Sequence, residues 1–247
     1  MPDLASYPRP HLAVDLVALT LGPAGVGART PELGLVVLRR SDSTAALPGR
    51  FVRERQTVKA TVAELLDAKL GLRPRRRIEL AMLDVYDAPD RDERAWAVSV
   101  AYSTGLREDE VARAIDSGAE VIGVHGAAER GRRVTRESLA YDHDQMVTTA
   151  VRRLRRRYER SPDPLGLLRA PYTLSQLRRA HEAVLDTPLR RDTFNRRMRE
   201  FLEPATDSRG EDLYTSATVG RPAQLFVPVR RSRRDPEAGP FPLPREE

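Results

Sequence analysis

Residues Tyr172 to Leu202 read YTLSQLRRAHEAVLDTPLRRDTFNRRMREFL, and this stretch decides how the C-terminal third of the chain is built. Thr173 stands three residues before Gln176, the spacing of a capping box, where a hydroxyl and an amide satisfy the free N–H groups of a helix start. Leu174, Leu177, Ala180, Val184 and Leu185 then fall on one helical face. Asp186-Thr187-Pro188 breaks the run, and a second helix is predicted from Arg190 to Phe201, with Phe194, Met198, Phe201 and Leu202 as its buried edge. Its other faces carry Arg190, Arg191, Thr193, Asn195, Arg196 and Arg199. Two short helices on a tight turn, the second rich in arginine and asparagine, have the pattern of a helix-turn-helix. Arginine matches the paired acceptors of guanine, and asparagine the donor and acceptor of adenine, so these six residues are candidate DNA contacts.

Working outward, Leu165 to Leu168 is an apolar turn expected to form a short first helix, and Ala170-Pro171-Tyr172 a break. Downstream, Leu213-Tyr214 and Ala223 to Val229 (AQLFVPV) read as two strands around a polar tip, a β-wing. Gly220-Arg221-Pro222 is a turn that holds Arg221 outward, in the manner of a side chain entering a narrow minor groove. Residues 161–229 are thus expected to be a winged helix DNA-binding domain. The Pro-, Arg- and Glu-rich segment 230–247 has the composition of a disordered tail.

Upstream, Ser138 to Arg157 places Met146, Ala150 and Leu154 at four-residue steps, which predicts a helix joining two domains over 138–160. His143 lies between Asp142 and Asp144 with no second histidine near it, which favours a helix-start cap or an interface role over a metal site. The run Arg152, Arg153, Arg155, Arg156 and Arg157 is either a solvated face or a phosphate-tracking patch.

The first 137 residues have a different grammar. His11 to Leu21 (HLAVDLVALTL), Gly34 to Arg39 (GLVVLR) and Ala95 to Tyr102 (AWAVSVAY) read as strands, the first two in a hairpin around a Gly/Pro-rich turn at Gly22 to Gly27. Val58 to Lys69 (VKATVAELLDAK) repeats Val58, Val62, Leu65, Leu66 and Lys69 at helical spacing, with Gly71 as a stop. A β-rich domain holding an amphipathic helix follows, and the class is α+β or mixed α/β. The chain of 247 residues carries 42 Lys+Arg against 36 Asp+Glu, a net charge of +6 that favours an anionic partner only modestly. Lys59 and Lys69 are its only lysines. Without cysteine there is no disulfide, thiolate metal site or cysteine nucleophile; without a long apolar stretch, a soluble, cytoplasmic protein with no membrane partner is expected.

Leu47 to Leu72 (LPGRFVRERQTVKATVAELLDAKLGL) resembles the Nudix box G-x5-E-x7-R-E-U-x-E-E-x-G-U in length and in its closing Gly71-Leu72. In that frame Arg50 replaces the first Gly, Gln56 the loop Glu and Glu64-Leu65 the Arg-Glu pair, while Ala68-Lys69 stand where Glu-Glu belongs. Nudix hydrolysis depends on Mg2+ or Mn2+ held by those helix carboxylates, and an alanine and an ammonium cannot replace hard oxygen ligands. The resemblance therefore implies a Nudix-like α/β/α sandwich over residues 1–137 without catalytic residues, metal or cofactor, left free to bind a nucleotide-type effector. Arg39, Arg50 and Arg53 are candidate anion contacts for it and Tyr86 a stacking surface. The alternative is a working Nudix hydrolase of nucleoside diphosphate derivatives.

The motifs Tyr172-Thr-Leu-Ser-Gln-Leu177, Pro188-Leu189 with Phe194 and Arg196-Arg197, Gly220-Arg-Pro-Ala-Gln-Leu-Phe226 and Leu139-Ala-Tyr-Asp-His143 resemble the Nudix-related transcriptional regulators of the NrtR family over roughly residues 8 to 229. That resemblance implies a homodimeric repressor whose partners are double-stranded operator DNA, of NAD-metabolism genes, and a small effector such as ADP-ribose.

Overall fold

The computed structural model describes residues 3, 6–23, 31–73, 78–129, 132–216 and 222–229. The chain runs β1 (His11–Pro23), β2 (Pro31–Arg39), β3 (Ala45–Ala46), β4 (Gly49–Phe51), α1 (Val58–Leu70), β5 (Ala81–Tyr86), β6 (Ala97–Gly105), α2 (Glu108–Asp116), β7 (Ala119–Gly123), α3 (His143–Tyr158), α4 (Leu174–Leu185), α5 (Arg191–Arg199), β8 (Leu202–Pro204) and β9 (Phe226–Pro228). Every residue of β1 from Ala13 to Thr20 is buried, because the strand lies mid-sheet with both faces covered. It pairs antiparallel with β2 and β4 and parallel with β6, in a mixed sheet of order β3-β2-β1-β6-β5 with β7 beside β2. The predicted hairpin is present, in the register Leu19 to Leu35 and Thr20 to Gly34.

Alternation along β1 divides two cores. Val14, Leu16 and Ala18 face α1 and α2, where Val62, Leu65, Leu66, Leu70, Val111 and Ala114 close over them. Val17 and Leu19 face α3, which lays Met146, Val147, Ala150, Val151 and Leu154 on the other side. This is an α/β/α sandwich, and α3 is its third layer rather than a bare connector. Burial of Leu65, Leu66 and Leu70 contributes about 2 kcal/mol each. Lys69, placed on the apolar face by its spacing, is exposed, and Leu70 takes the buried position. Gly71 ends α1 at φ 62, where an added Cβ would meet Ser117 Oγ at 2.3 Å, so the stop requires glycine. The helix α2 and strand β7 went unforeseen, although Val111 and Ala114 sit three residues apart in an otherwise polar segment.

The third core, of Tyr172, Leu177, Phe194, Met198, Leu202 and Phe226, belongs to the C-terminal domain. Thr173 caps α4 through the predicted box, its Oγ1 accepting from Gln176 N–H at 3.1 Å and its own N–H donating to Gln176 Oε1 at 2.8 Å. β8 pairs with β9, and Leu213 and Thr215 bond across to Leu225 and Ala223, so the expected wing strands gain a third partner at Leu202–Pro204. One element is corrected: residues 165–168 form no helix, because Gly166 turns at φ 66 and the Asp163 carboxylate accepts the Leu167 and Leu168 N–H groups, a side chain replacing the carbonyls a helix would need. Part of the Gly22 to Gly27 turn, the tip with Arg221, and the expected tail at 230–247 lie outside the described residues.

Candidate functional site

Two surfaces carry chemistry. On the first, α5 turns Phe194 and Met198 inward and leaves Arg191, Thr193, Arg196, Arg197 and Arg199 exposed, with Asn195 half-buried and Arg190 exposed at the N-cap. Among the described residues none of these arginines is ion-paired, so five guanidiniums remain free for phosphates or base edges. Arg197 was absent from the sequence-predicted contacts, yet it shares their exposure. The turn before α5 is fixed by Glu182, whose carboxylate accepts from Leu189 N–H at 2.9 Å and pairs with Arg178. Asp186 closes α4 in the left-handed conformation at φ 54. The helix-turn-helix is therefore held by a buried side and presents a basic one.

Three of the five arginines of the run on α3 serve neither of the two uses its spacing suggested, while Arg156 is exposed. Arg153 donates to Met82 O at 3.1 Å, Arg157 to Pro164 O at 3.1 Å, and Arg155 to both Val184 O at 2.8 Å and Gly126 O at 2.6 Å. These long side chains staple neighbouring elements through backbone carbonyls, which a string of arginines in sequence does not reveal.

The second surface is a cleft of about 710 Å³ between the β2–β3 turn, the loop after β5 and the start of α3, with Tyr86 and Tyr141 in its wall. Arg40 and Arg94 lie over the Tyr141 ring, 4.9 and 5.1 Å from its centroid, and Arg40 also bonds the Tyr141 hydroxyl. Arg91, almost fully buried, grips Asp142 with two nitrogens at 2.7 and 2.9 Å and reaches Asp15 at 3.3 Å. Ser99 donates to the same Asp15 carboxylate at 2.7 Å. Burial alone would raise the Asp15 pKa, but His143, Ser99 and Arg91 together hold it below the usual carboxylate value. His143 Nδ1 accepts the Leu47 N–H at 3.0 Å and Nε2 faces Asp15 at 3.5 Å, so the ring is an interface post and not a helix cap. Burial pushes the Tyr86 phenol up, keeping it neutral.

Of the predicted effector contacts, Tyr86 lines this cleft. Arg39 is engaged by Glu137 at 2.6 Å and Glu120 at 2.9 Å. Arg50 and Arg53 sit on the opposite side of the sheet, where Glu64 takes them at 2.9 and 3.7 Å. Gln56 donates to the same Glu64 at 2.7 Å, so two of the positions that depart from the Nudix box are bonded to each other. Arg40, Arg91, Tyr141 and Asp142 were missed, because a 51-residue separation in sequence hides the Arg91–Asp142 pair. Ala68 and Lys69 are both exposed on α1.

Residues 164–227 match the family model of the NrtR DNA-binding winged helix domain. Over 234 residues the chain is 26% identical to the ADPR responsive transcriptional repressor NtrR of Acinetobacter baylyi, covering 90% of this chain and 83% of that protein. In fold it is similar to NrtR of Shewanella oneidensis, solved in complex with a 27mer DNA, at a TM-score of 0.67 and 24% identity over 90% of this chain and 95% of that one. A MutT/nudix family protein from Enterococcus faecalis matches at a TM-score of 0.67 and 20% identity, over 90% and 89% of the two chains. The fold is thus a Nudix-like domain followed by a winged helix, and the resemblance to the NrtR family read from the motifs holds across both. Among the described residues no helix is long and apolar enough to cross a membrane.

Proposed function

We infer that this chain, with its NrtR-type winged helix at residues 164–227, is a DNA-binding transcriptional repressor whose Nudix-like domain senses a nucleotide-type effector such as ADP-ribose. The observation that carries the reading is the joint likeness of both halves, in order, to a repressor described as ADPR-responsive. α5 supplies the base readers, Asn195, Arg196 and Arg199, on flanks other than the buried Phe194 and Met198 edge, while Arg190, Arg191 and Thr193 contact the backbone or groove edge. The effector occupies the Tyr86 and Tyr141 cleft. Its base stacks on a tyrosine face of the cleft wall, and its hydroxyls meet the carboxylates of Asp87, Asp90 and Glu93.

The Nudix-like domain acts in this reading as a binder without hydrolysis. Ala68 and Lys69 occupy the positions of the metal carboxylates, and Glu64 is committed to Arg50 and Gln56. The repressor works as a homodimer, since a two-fold protein matches a pseudo-palindromic operator with half-sites one or two turns apart, about 34–36 Å per turn. A mobility-shift experiment on the DNA upstream of the chain's own gene tests the whole. A retarded band that ADP-ribose removes is expected. Release of AMP from ADP-ribose in Mg2+ or Mn2+, or no retention of that DNA against a random duplex, would overturn it.

A further inference from the structure

α3 has its two ends in different functional surfaces. Its first turn builds the cleft, where Asp142 and Gln145 form part of the wall and His143 is seated against Asp15 and Leu47. Its last residue, Tyr158, is fully buried among groups of the winged helix. The Tyr158 ring lies 4.7 Å from that of His181 on α4, and the His181 ring packs edge-on at 5.0 Å from Phe194, the residue that seats α5. Between these points α3 spans 16 residues, about 24 Å of rigid helix.

Polar contacts fix this stack. Tyr158 donates its hydroxyl to Asp163 Oδ1 at 2.6 Å, and the Asp163 N–H donates to His181 Nε2 at 3.3 Å. The imidazole is thereby an acceptor at Nε2, and burial lowers its pKa to about 4, so it stays neutral. Beside the stack Arg155 bonds Gly126 O in the Nudix-like domain and Val184 O in α4, while Gly126 N–H donates to Asp186 Oδ2 at 2.6 Å. Val184 and Leu167 even belong to the core under α3. These parts share packed side chains and hydrogen bonds, so a displacement of α3 must move His181, because close-packed interiors transmit strain.

We propose that the Tyr158–His181–Phe194 stack joins the two domains into one cooperative body, and that His181 is the positioning residue through which a ligand in the cleft displaces α5. The second half rests on the effector reading above; the first does not. Calorimetry of the full chain tests the joint. The natural chain is expected to unfold in one transition, and His181→Ala in two, with the winged helix melting first. Two transitions in the natural chain, or a single one in His181→Ala, would overturn the joint. Should His181→Ala fail to fold, Tyr158→Phe decides: ADP-ribose weakens retention of the upstream DNA at least tenfold in the natural chain, and in this variant that factor falls at least threefold, with ligand-free DNA affinity within twofold. An unchanged factor would overturn the role of the stack. If the natural chain ignores ADP-ribose, the effector reading fails by itself and the calorimetric comparison still decides the joint.

Discussion

Two buried ionisable groups give the residue scale its tests. His181 is 1% exposed with a pKa lowered to about 4, against an ordinary value near 6.5, so folding favours its neutral form. The sign follows: its contribution is complete above pH 6.5 and is lost as pH falls from 6.5 toward 4, by about 2 kcal/mol at pH 5 and about 3 kcal/mol in all. Chemical denaturation at pH 7 and pH 5 should therefore show a larger loss in the natural chain than in His181→Gln, and equal losses would refute the assignment. Arg91 is the second. Its guanidinium faces Asp15 and Asp142 with a side chain 3% exposed, so Arg91→Met strands two carboxylates and should cost about 3–5 kcal/mol. A urea midpoint that barely moves would mean water already neutralises the cluster. The Asp15 pKa is lowered, so its own contribution is present above the ordinary carboxylate range and fades as pH falls through the lowered value.

At the scale of elements, the proposed function has α5 separate base reading from phosphate holding. Asn195→Ala or Arg196→Ala should cost about 1–3 kcal/mol on the upstream DNA and far less on a random duplex, since a lost base contact removes discrimination while phosphate contacts persist. Equal losses on both duplexes would show that the helix does not read bases. Elements with local periodicity were legible: α1, α3, α4 and α5 follow from apolar spacing, the Thr173 box and the Gly71 stop. The segment 165–168 misled because apolar residues alone do not make a helix when a carboxylate at Asp163 claims their N–H groups. The cleft was half-legible. Tyr86 could be named from the sequence, but its companions come from the β2–β3 turn, the loop after β5 and the start of α3, and only the parallel insertion of β6 beside β1 brings Ser99 to Asp15. The arginines chosen by charge, Arg39, Arg50 and Arg53, found carboxylates of their own. Charge in sequence marks a cation and not its freedom.

For the whole molecule, a basic helix and a tyrosine-lined cleft stand at opposite ends of α3, and the function proposed above requires that occupancy of one be felt at the other. Such coupling is reciprocal by thermodynamic necessity: if ADP-ribose weakens DNA binding by some factor, the DNA weakens ADP-ribose binding by the same factor. The direct measurement is a calorimetric titration of ADP-ribose into the protein alone and into the protein saturated with its upstream DNA. The expected result is an ADP-ribose affinity at least tenfold weaker in the DNA complex, matching the factor by which ADP-ribose weakens the DNA. The contradicting result is one ADP-ribose affinity, the same with and without DNA.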